Sequence, residues 1–202
     1  MAASTRTMPV PERLTTRRLL LRPWRATDAA QVQPVLEANV MHLGPWIPPR
    51  VAAPVPQEEL ARRLAGFGED FAAGREWRYG LFAPDESAVY GEAGLYPRTA
   101  ARRVQFADAD RVEMGYWLRS DVTGRGFATE SGRALLEVAA AIPGMTCIEI
   151  RCDTRNPASA AVPRRLRFRL VETVTAPGVV PGEESVQLQL WTYELGLVAG
   201  EA

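Results

Sequence analysis

The sequence predicts a single mixed α/β domain (α+β, one mixed sheet) over residues 14–198, with residues 1–13 as a flexible leader. Three observations predict it. Apolar residues recur at helical spacing in two long segments, at Leu60, Leu64, Phe67 and Phe71 and again at Leu135, Val138, Ala139 and Ile142. Around them lie short β-rich runs bounded by proline, glycine and aspartate turns. The chain of 202 residues is 47% hydrophobic, without internal repeat or low-complexity tract, and so suffices for one core with no domain break.

The first strand is predicted at Leu19 to Trp24, with Leu19 and Leu21 on one face and Leu20 on the other. Thr27 or Asp28 then caps a helix through Val32 and Leu36, which Pro34 kinks or shortens. Residues 43–56 hold five prolines and Trp46, so they read as an ordered loop rather than an element. A helix from Glu58 to Ala73 stops at Gly74, with Gly66 and Gly68 weakening its middle. Strands follow at Trp77 to Phe82 and Val89 to Tyr96, joined by a turn at Pro84-Asp85. Beyond a charged turn at 97–110 comes a strand from Val112 to Leu118. A helix beginning near Ala128 ends before Pro143-Gly144, and Thr146 to Cys152 is β-rich. Ala158 to Leu166 reads as a short helix, with Pro163 awkward in its interior. Strands at Phe168 to Val174 and Ser185 to Leu195 complete the order β-α-α-β-β-β-α-β-α-β-β.

Composition narrows the function classes. Basic and acidic residues number 24 each, so no global field favours nucleic acid or a membrane surface. All 24 basic residues are arginine, interleaved with Asp and Glu rather than gathered on a stripe. Cys147 and Cys152, five apart in one predicted strand, fall on opposite faces, which argues against a disulfide; two thiols are also too few for a metal cluster. A reducing, cytoplasmic setting is the natural expectation. No apolar run approaches the ~18 residues of a membrane span, and the N-terminus lacks a signal-peptide core.

The segment from Glu113 to Glu130 carries the chemistry. A strand passes through a turn containing Gly124 and Gly126 into a helix. Glycines at that junction let the backbone turn tightly and leave amide N–H groups uncovered beside a positive helix end, a setting that holds phosphate or pyrophosphate. Gly115, inside the strand, suggests a bulge or a close backbone approach. A bulge there would splay this strand from the Cys147–Cys152 strand and leave main-chain groups for an extended, amide-containing ligand. Downstream, Asn156 and Ser159 sit at a helix start, where turn formation and capping are their ordinary roles.

Together, Tyr116-Trp117-Leu118 with Gly124-Arg125-Gly126-Phe127-Ala128-Thr129-Glu130, then Arg151-Cys152-Asp153 with Asn156, Ser159 and Val162, resemble the GNAT acetyltransferase superfamily. More narrowly they resemble its ribosomal-protein N-terminal acetyltransferase branch, the RimJ/RimL type. The run Thr16-Arg17-Arg18-Leu19-Leu20-Leu21-Arg22-Pro23 and the pair Pro45-Trp46 fit that branch. The resemblance implies a central, mostly antiparallel sheet splayed between the fourth and fifth strands, with acetyl-CoA in the cleft and no metal. It implies that amides of Thr123, Gly124, Arg125, Gly126, Phe127 and Ala128, with Thr129 beside them, cradle the pyrophosphate. The main chain of Tyr116, Trp117 and Leu118 would pair with the pantetheine arm, and Asn156 would bond it near the thiol. Arg164 or Arg165 would either reach the adenosine phosphate or lie in solvent.

Acyl transfer needs a neutral amine, a stabilised oxyanion and a proton for the leaving thiolate. Many superfamily members carry a tyrosine as general acid seven residues after the position of Asn156; here that position is Pro163. Ser159 is the remaining donor, as in the serine-bearing branch. For the base, Glu113 and Glu92 are candidates at strand starts, Glu113 also facing the acceptor; Glu172, Glu183 and Glu184 rank below them. His42, the single histidine, and Trp46 stand where they could line the acceptor pocket. A second departure is Arg167, where the family usually has glycine to end the helix left-handed. The expected activity is acetyl transfer to a primary amine, either a protein or peptide N-terminus or a small amine, by a monomer or a homodimer. The alternative is a GNAT-shaped module that binds acyl-CoA without turnover.

Overall fold

The computed structural model describes residues 10–178, 180 and 182–196. Among these residues, eight strands form one sheet in the order β1-β2-β3-β4-β5-β6-β8-β7. They are β1 Leu14–Thr15, β2 Leu20–Pro23, β3 Trp77–Phe82, β4 Val89–Arg98, β5 Arg111–Leu118, β6 Cys147–Asp153, β7 Arg169–Pro177 and β8 Ser185–Glu194. Neighbours pair antiparallel throughout except β5 and β6, which are parallel. The helices are α1 Ala29–Ala38, α2 Val40–Leu43, α3 Pro49–Ala52, α4 Gln57–Ala72, α5 Phe127–Ala140 and α6 Pro157–Arg165.

The sheet has an apolar core on each face, and the alternation of strand side chains decides which residue joins which. Leu19 and Leu21 enter the core beneath α5 and α6, with Leu95, Met114, Leu135 and Ile148. Leu20 enters the other, with Trp24, Val32, Leu36, Leu60, Leu64 and Trp117. Cys147 and Cys152 are both free thiols, and Cys152 belongs to the first of these cores. The amphipathic stripe of α4 buries Leu60, Leu64 and Phe71 as its spacing requires.

Two expectations need correcting. The proline-rich stretch 43–56 is not purely loop: Pro49 opens the single turn α3, because its fixed φ suits a first helical position, where no N–H is needed. Gly115 makes no bulge, since β5 pairs with β4 in unbroken register, Gly94 opposite Gly115. The glycine serves a close approach instead: a Cβ there would lie 3.2 Å from the Tyr96 ring. Of the expected leader, residues 1–9 lie outside the described residues, as do 197 and 198 at the far end of the expected domain and 179 and 181 near it. Val10 is buried in the core, and Tyr79 donates a hydrogen bond to the Pro11 carbonyl at 2.7 Å.

The feature that positions the site is where β5 and β6 part. They pair at Arg111↔Cys147, Val112↔Ile148 and Glu113↔Glu149, and pairing then stops. Beyond that point β5 stays zipped to β4 as far as Leu118, and β6 stays zipped to β8 as far as Asp153. Each strand follows its outer neighbour, and a wedge opens between them at the fourth and fifth of the predicted strands.

Candidate active site

Among the described residues, the inner edge of β5 from Met114 to Leu118 has no strand partner across the wedge. Its main-chain groups have no ladder partner there, and apart from the Leu118 carbonyl, which His42 contacts, an extended ligand can complete them as an added strand. The strand leads through a 3₁₀ turn at Ser120–Val122 to Gly124 and Gly126, with φ of 73° and 83°. Gly126 is the N-cap of α5, so this left-handed residue turns the chain straight into the helix. A Cβ built at Gly124 would meet no heavy atom within 4 Å, so the turn is open to a ligand. The first-turn amides of α5, from Phe127 onward, carry the positive end of a helix of 14 residues. The buried Thr129 hydroxyl in that first turn has no hydrogen-bond partner among the described residues.

Across the wedge, Asn156 caps α6: its Oδ1 accepts the Ser159 N–H at 2.9 Å. Capping uses only the carbonyl end of that amide and leaves the Nδ2 donors for another partner. Ser159 stands one turn into α6, and here a neighbour emerges that sequence reasoning did not foresee. The Tyr116 hydroxyl donates to the Ser159 carbonyl at 2.9 Å and lies 3.4 Å from Ser159 Oγ. Pro163 explains the first contact. In an α-helix the N–H of residue 163 would bond the carbonyl of residue 159, but proline has no N–H. Tyr116 satisfies the carbonyl that Pro163 leaves empty. Burial pushes the Tyr116 phenol pKa up, so it stays a protonated donor. The thiol of Cys152 also faces Ser159, and burial pushes it up too.

The opposite sheet face has a different character. Register places Glu92 beside Trp117, Tyr96 beside Glu113, and Glu113 beside Glu149, all on one face. Glu92 is buried, accepting from Trp24 Nε1 at 2.7 Å and from Arg78 Nη1 at 2.9 Å. Glu113 is paired with Arg98 and, at 2.8 Å, with Arg103. Glu149 is held by Arg111 and Arg151. Tyr96 lies over the paired glycines, with the guanidinium groups of Arg78 and Arg103 against its ring at 4.8 and 4.1 Å. A cleft of about 480 Å³ opens beside it, lined by Tyr96, Glu76, Arg103, Arg102 and Asp70 among others.

His42 and Trp46 both reach the wedge. His42 Nε2 lies 3.2 Å from the Leu118 carbonyl, which can only accept, so that nitrogen carries the proton. The contact takes up one of the main-chain groups expected for the pantetheine arm. Asn39 Oδ1 adds a bond from the Ser120 N–H at 2.7 Å, so the α1–α2 junction fixes the end of β5. Trp46 lies 5.9 Å from the Arg155 guanidinium on the far bank, and Arg155 is itself paired with Asp153 and Glu183. Arg164 rests against the Trp191 ring at 5.3 Å. Among the described residues, no group of three or more His, Cys, Asp or Glu is gathered as for a metal ion.

Residues 18–169 match the family model described as an acetyltransferase (GNAT) domain. No curated protein matches the chain in sequence. Among solved structures it resembles RimL, the ribosomal L7/L12 alpha-N-protein acetyltransferase, in complex with coenzyme A. There the TM-score is 0.74 at 20% identity, over 92% of this chain and 97% of that one. It also resembles the ribosomal-protein-S5-alanine acetyltransferase of Vibrio fischeri, with TM-score 0.74, 18% identity, and 90% and 96% coverage. A third is the microcin C7 self-immunity acetyltransferase MccE, solved with acetyl-CoA and AMP. It has TM-score 0.77, 14% identity, and 93% and 98% coverage.

Proposed function

The chain belongs to the GNAT acetyltransferase family, and from that premise we propose that it transfers an acetyl group from acetyl-CoA to a primary amine, the N-terminus of a protein or peptide. One observation carries the donor assignment: the unpaired edge of β5 runs directly into the glycine turn that opens α5. The resemblance to structures that hold coenzyme A or acetyl-CoA supports it. The acceptor assignment is supported by the ribosomal-protein acetyltransferases among those neighbours.

Acetyl-CoA supplies an activated acyl group on a thiol of modest pKa. This chain's residues do the rest. The amides at Gly124 to Ala128 hold the phosphates, and the inner edge of β5 aligns the arm as an added strand. Asn156, fixed by its own cap, presents Nδ2 across the wedge. Ser159 Oγ stands beside the Tyr116 hydroxyl as the proton donor for the departing thiolate. Glu113, at the apex of the wedge, collects the amine proton through water. Its side chain is 16% exposed, whereas that of Glu92 is 4% exposed and enclosed by Arg78 and Trp24.

A thiol-release assay with acetyl-CoA against a panel of peptides and small amines tests this reading. Turnover on peptides is expected. Tight CoA binding with no turnover on any amine would favour a non-catalytic acyl-CoA module instead. Ser159→Ala should lower turnover by about a hundredfold or more while sparing CoA affinity. An unaltered rate removes Ser159 from the chemistry.

A further inference from the structure

The run Thr16-Arg17-Arg18 lies far in sequence from the glycine turn, yet it is folded around it. Glu130, in the first turn of α5, receives Thr16 Oγ1 at 2.6 Å and the Arg18 N–H at 2.9 Å on one oxygen. On the other oxygen it receives Arg18 Nε at 2.7 Å and Nη2 at 2.6 Å. The remaining arm of the same guanidinium, Nη1, donates to the Arg125 carbonyl at 2.9 Å. The group lies against the Phe127 ring at 4.7 Å, and Phe127 stacks on Tyr90 at 5.0 Å.

Two consequences follow from elementary geometry and charge. The C=O and N–H of one trans peptide unit point in opposite directions. Tying the Arg125 carbonyl to Arg18 therefore aims the Gly126 N–H away from Arg18, out of the turn. Glycine with φ of 83° has no side chain to fix that peptide, so an outside contact must. The second consequence concerns Glu130. A bare carboxylate in the first turn would repel an anion at the same helix end, and Arg18 neutralises it. Burial works against the charge, yet the bonds from Thr16 and Arg18 hold the Glu130 carboxyl below its ordinary pKa, so Glu130 meets Arg18 as a carboxylate at neutral pH.

We propose that Arg18 is a positioning residue for a diphosphate site. It orients the Gly124–Gly126 turn through the Arg125 carbonyl, while Glu130 and Thr16 orient Arg18. The proposal rests on the acetyl-CoA reading above.

Calorimetry on the full chain with CoA, dephospho-CoA and pantetheine tests it, since only the first two carry the diphosphate. Arg18→Ala should weaken both by about tenfold, the value of one charge-assisted hydrogen bond, and leave pantetheine unchanged. Arg18→Lys keeps the charge but lacks the fork that serves Glu130 and Arg125 together, so it should not restore affinity. If Arg18→Ala does not fold, Thr16→Val removes a single bond to Glu130 and should show a smaller loss with the same ligand pattern. CoA affinity within about twofold of wild type, or an equal loss for pantetheine, would overturn the positioning role of Arg18. Failure of the wild-type chain to bind CoA would instead overturn the donor reading, and that role with it.

Discussion

The region proposed for the acetyl donor, along the β5–β6 wedge, and the region proposed for the acceptor, on the sheet face that carries Glu92 and Glu113, are built from different material. The donor side is main chain: an unpaired strand edge, two left-handed glycines and the amides of a helix start. The acceptor side is side chain: Glu92, Glu113 and Glu149 with Arg78, Arg98, Arg103 and Arg111, each tied to a partner on another strand or loop. Main-chain sites need particular backbone angles, and few residue types satisfy them. Side-chain networks need only matched charges at matched distances, and many sequences satisfy those. The acceptor side is thereby part of the scaffold, while the donor side can lose its ligand without losing the fold.

The largest expected effect tests that division on the acceptor side. Glu92→Ala removes the carboxylate between Arg78 and Trp24 and leaves a guanidinium only 2% exposed at its side chain, with Glu76 as its remaining carboxylate among the described residues. Breaking a buried pair from one side costs roughly 3–5 kcal/mol, because the other charge stays buried. Urea unfolding should show that loss with an unchanged slope. A loss below about 1 kcal/mol would mean that Glu92 is not structural, and would return it to the list of candidate bases.

The next effect is about half as large and falls on the other side. Gly126→Glu places a carboxylate and a strained left-handed backbone at the α5 start. Repulsion of a diphosphate together with a disturbed turn should cost about 2–3 kcal/mol of binding, or about a hundredfold in CoA affinity. The melting temperature should move far less than in Glu92→Ala. Unchanged CoA affinity by calorimetry would show that the ligand does not lie on this turn.

This same division decides what was legible in the sequence. Gly124, Gly126, Asn156 and Ser159 could be read because each answers a local backbone requirement within a few residues. Two strands were legible for a similar reason: Leu19, Leu20 and Leu21 alternate between two cores, and Trp77–Phe82 is bounded by turn residues. The partners of Glu92 and Glu113 lie 10 to 68 residues away along the chain, and no spacing announces them. The main chain of Tyr116 was legible in its strand, but its side-chain role was not, because that side chain completes a helix 43 residues on. The one available signal was Pro163, whose missing N–H leaves the Ser159 carbonyl in need of a donor. Arg18 escaped likewise, although the Thr16–Pro23 run had already stood out; its meaning appears only once Glu130 is folded against it.

The smallest effect asks whether the main-chain rule holds where the sequence breaks it. α6 ends in a Schellman arrangement: the Phe168 N–H bonds the Pro163 carbonyl at 2.9 Å, and the Arg167 N–H bonds the Arg164 carbonyl at 3.1 Å. That geometry requires Arg167 to sit at φ of 65°, a left-handed conformation that costs a side-chain-bearing residue about 1–2 kcal/mol. Glycine avoids the cost but gives back part of it as entropy in the unfolded chain, roughly 0.5–1 kcal/mol. Arg167→Gly should therefore stabilise the protein by about 1 kcal/mol, a rise of ~2–4 °C in melting temperature. CoA affinity should stay put, because the substituted residue lies at the far end of α6 from Asn156 and Ser159. A destabilised Arg167→Gly would mean that the guanidinium, exposed as it is, holds something the main chain does not, and the division between backbone-built and side-chain-built halves would fail at this helix end.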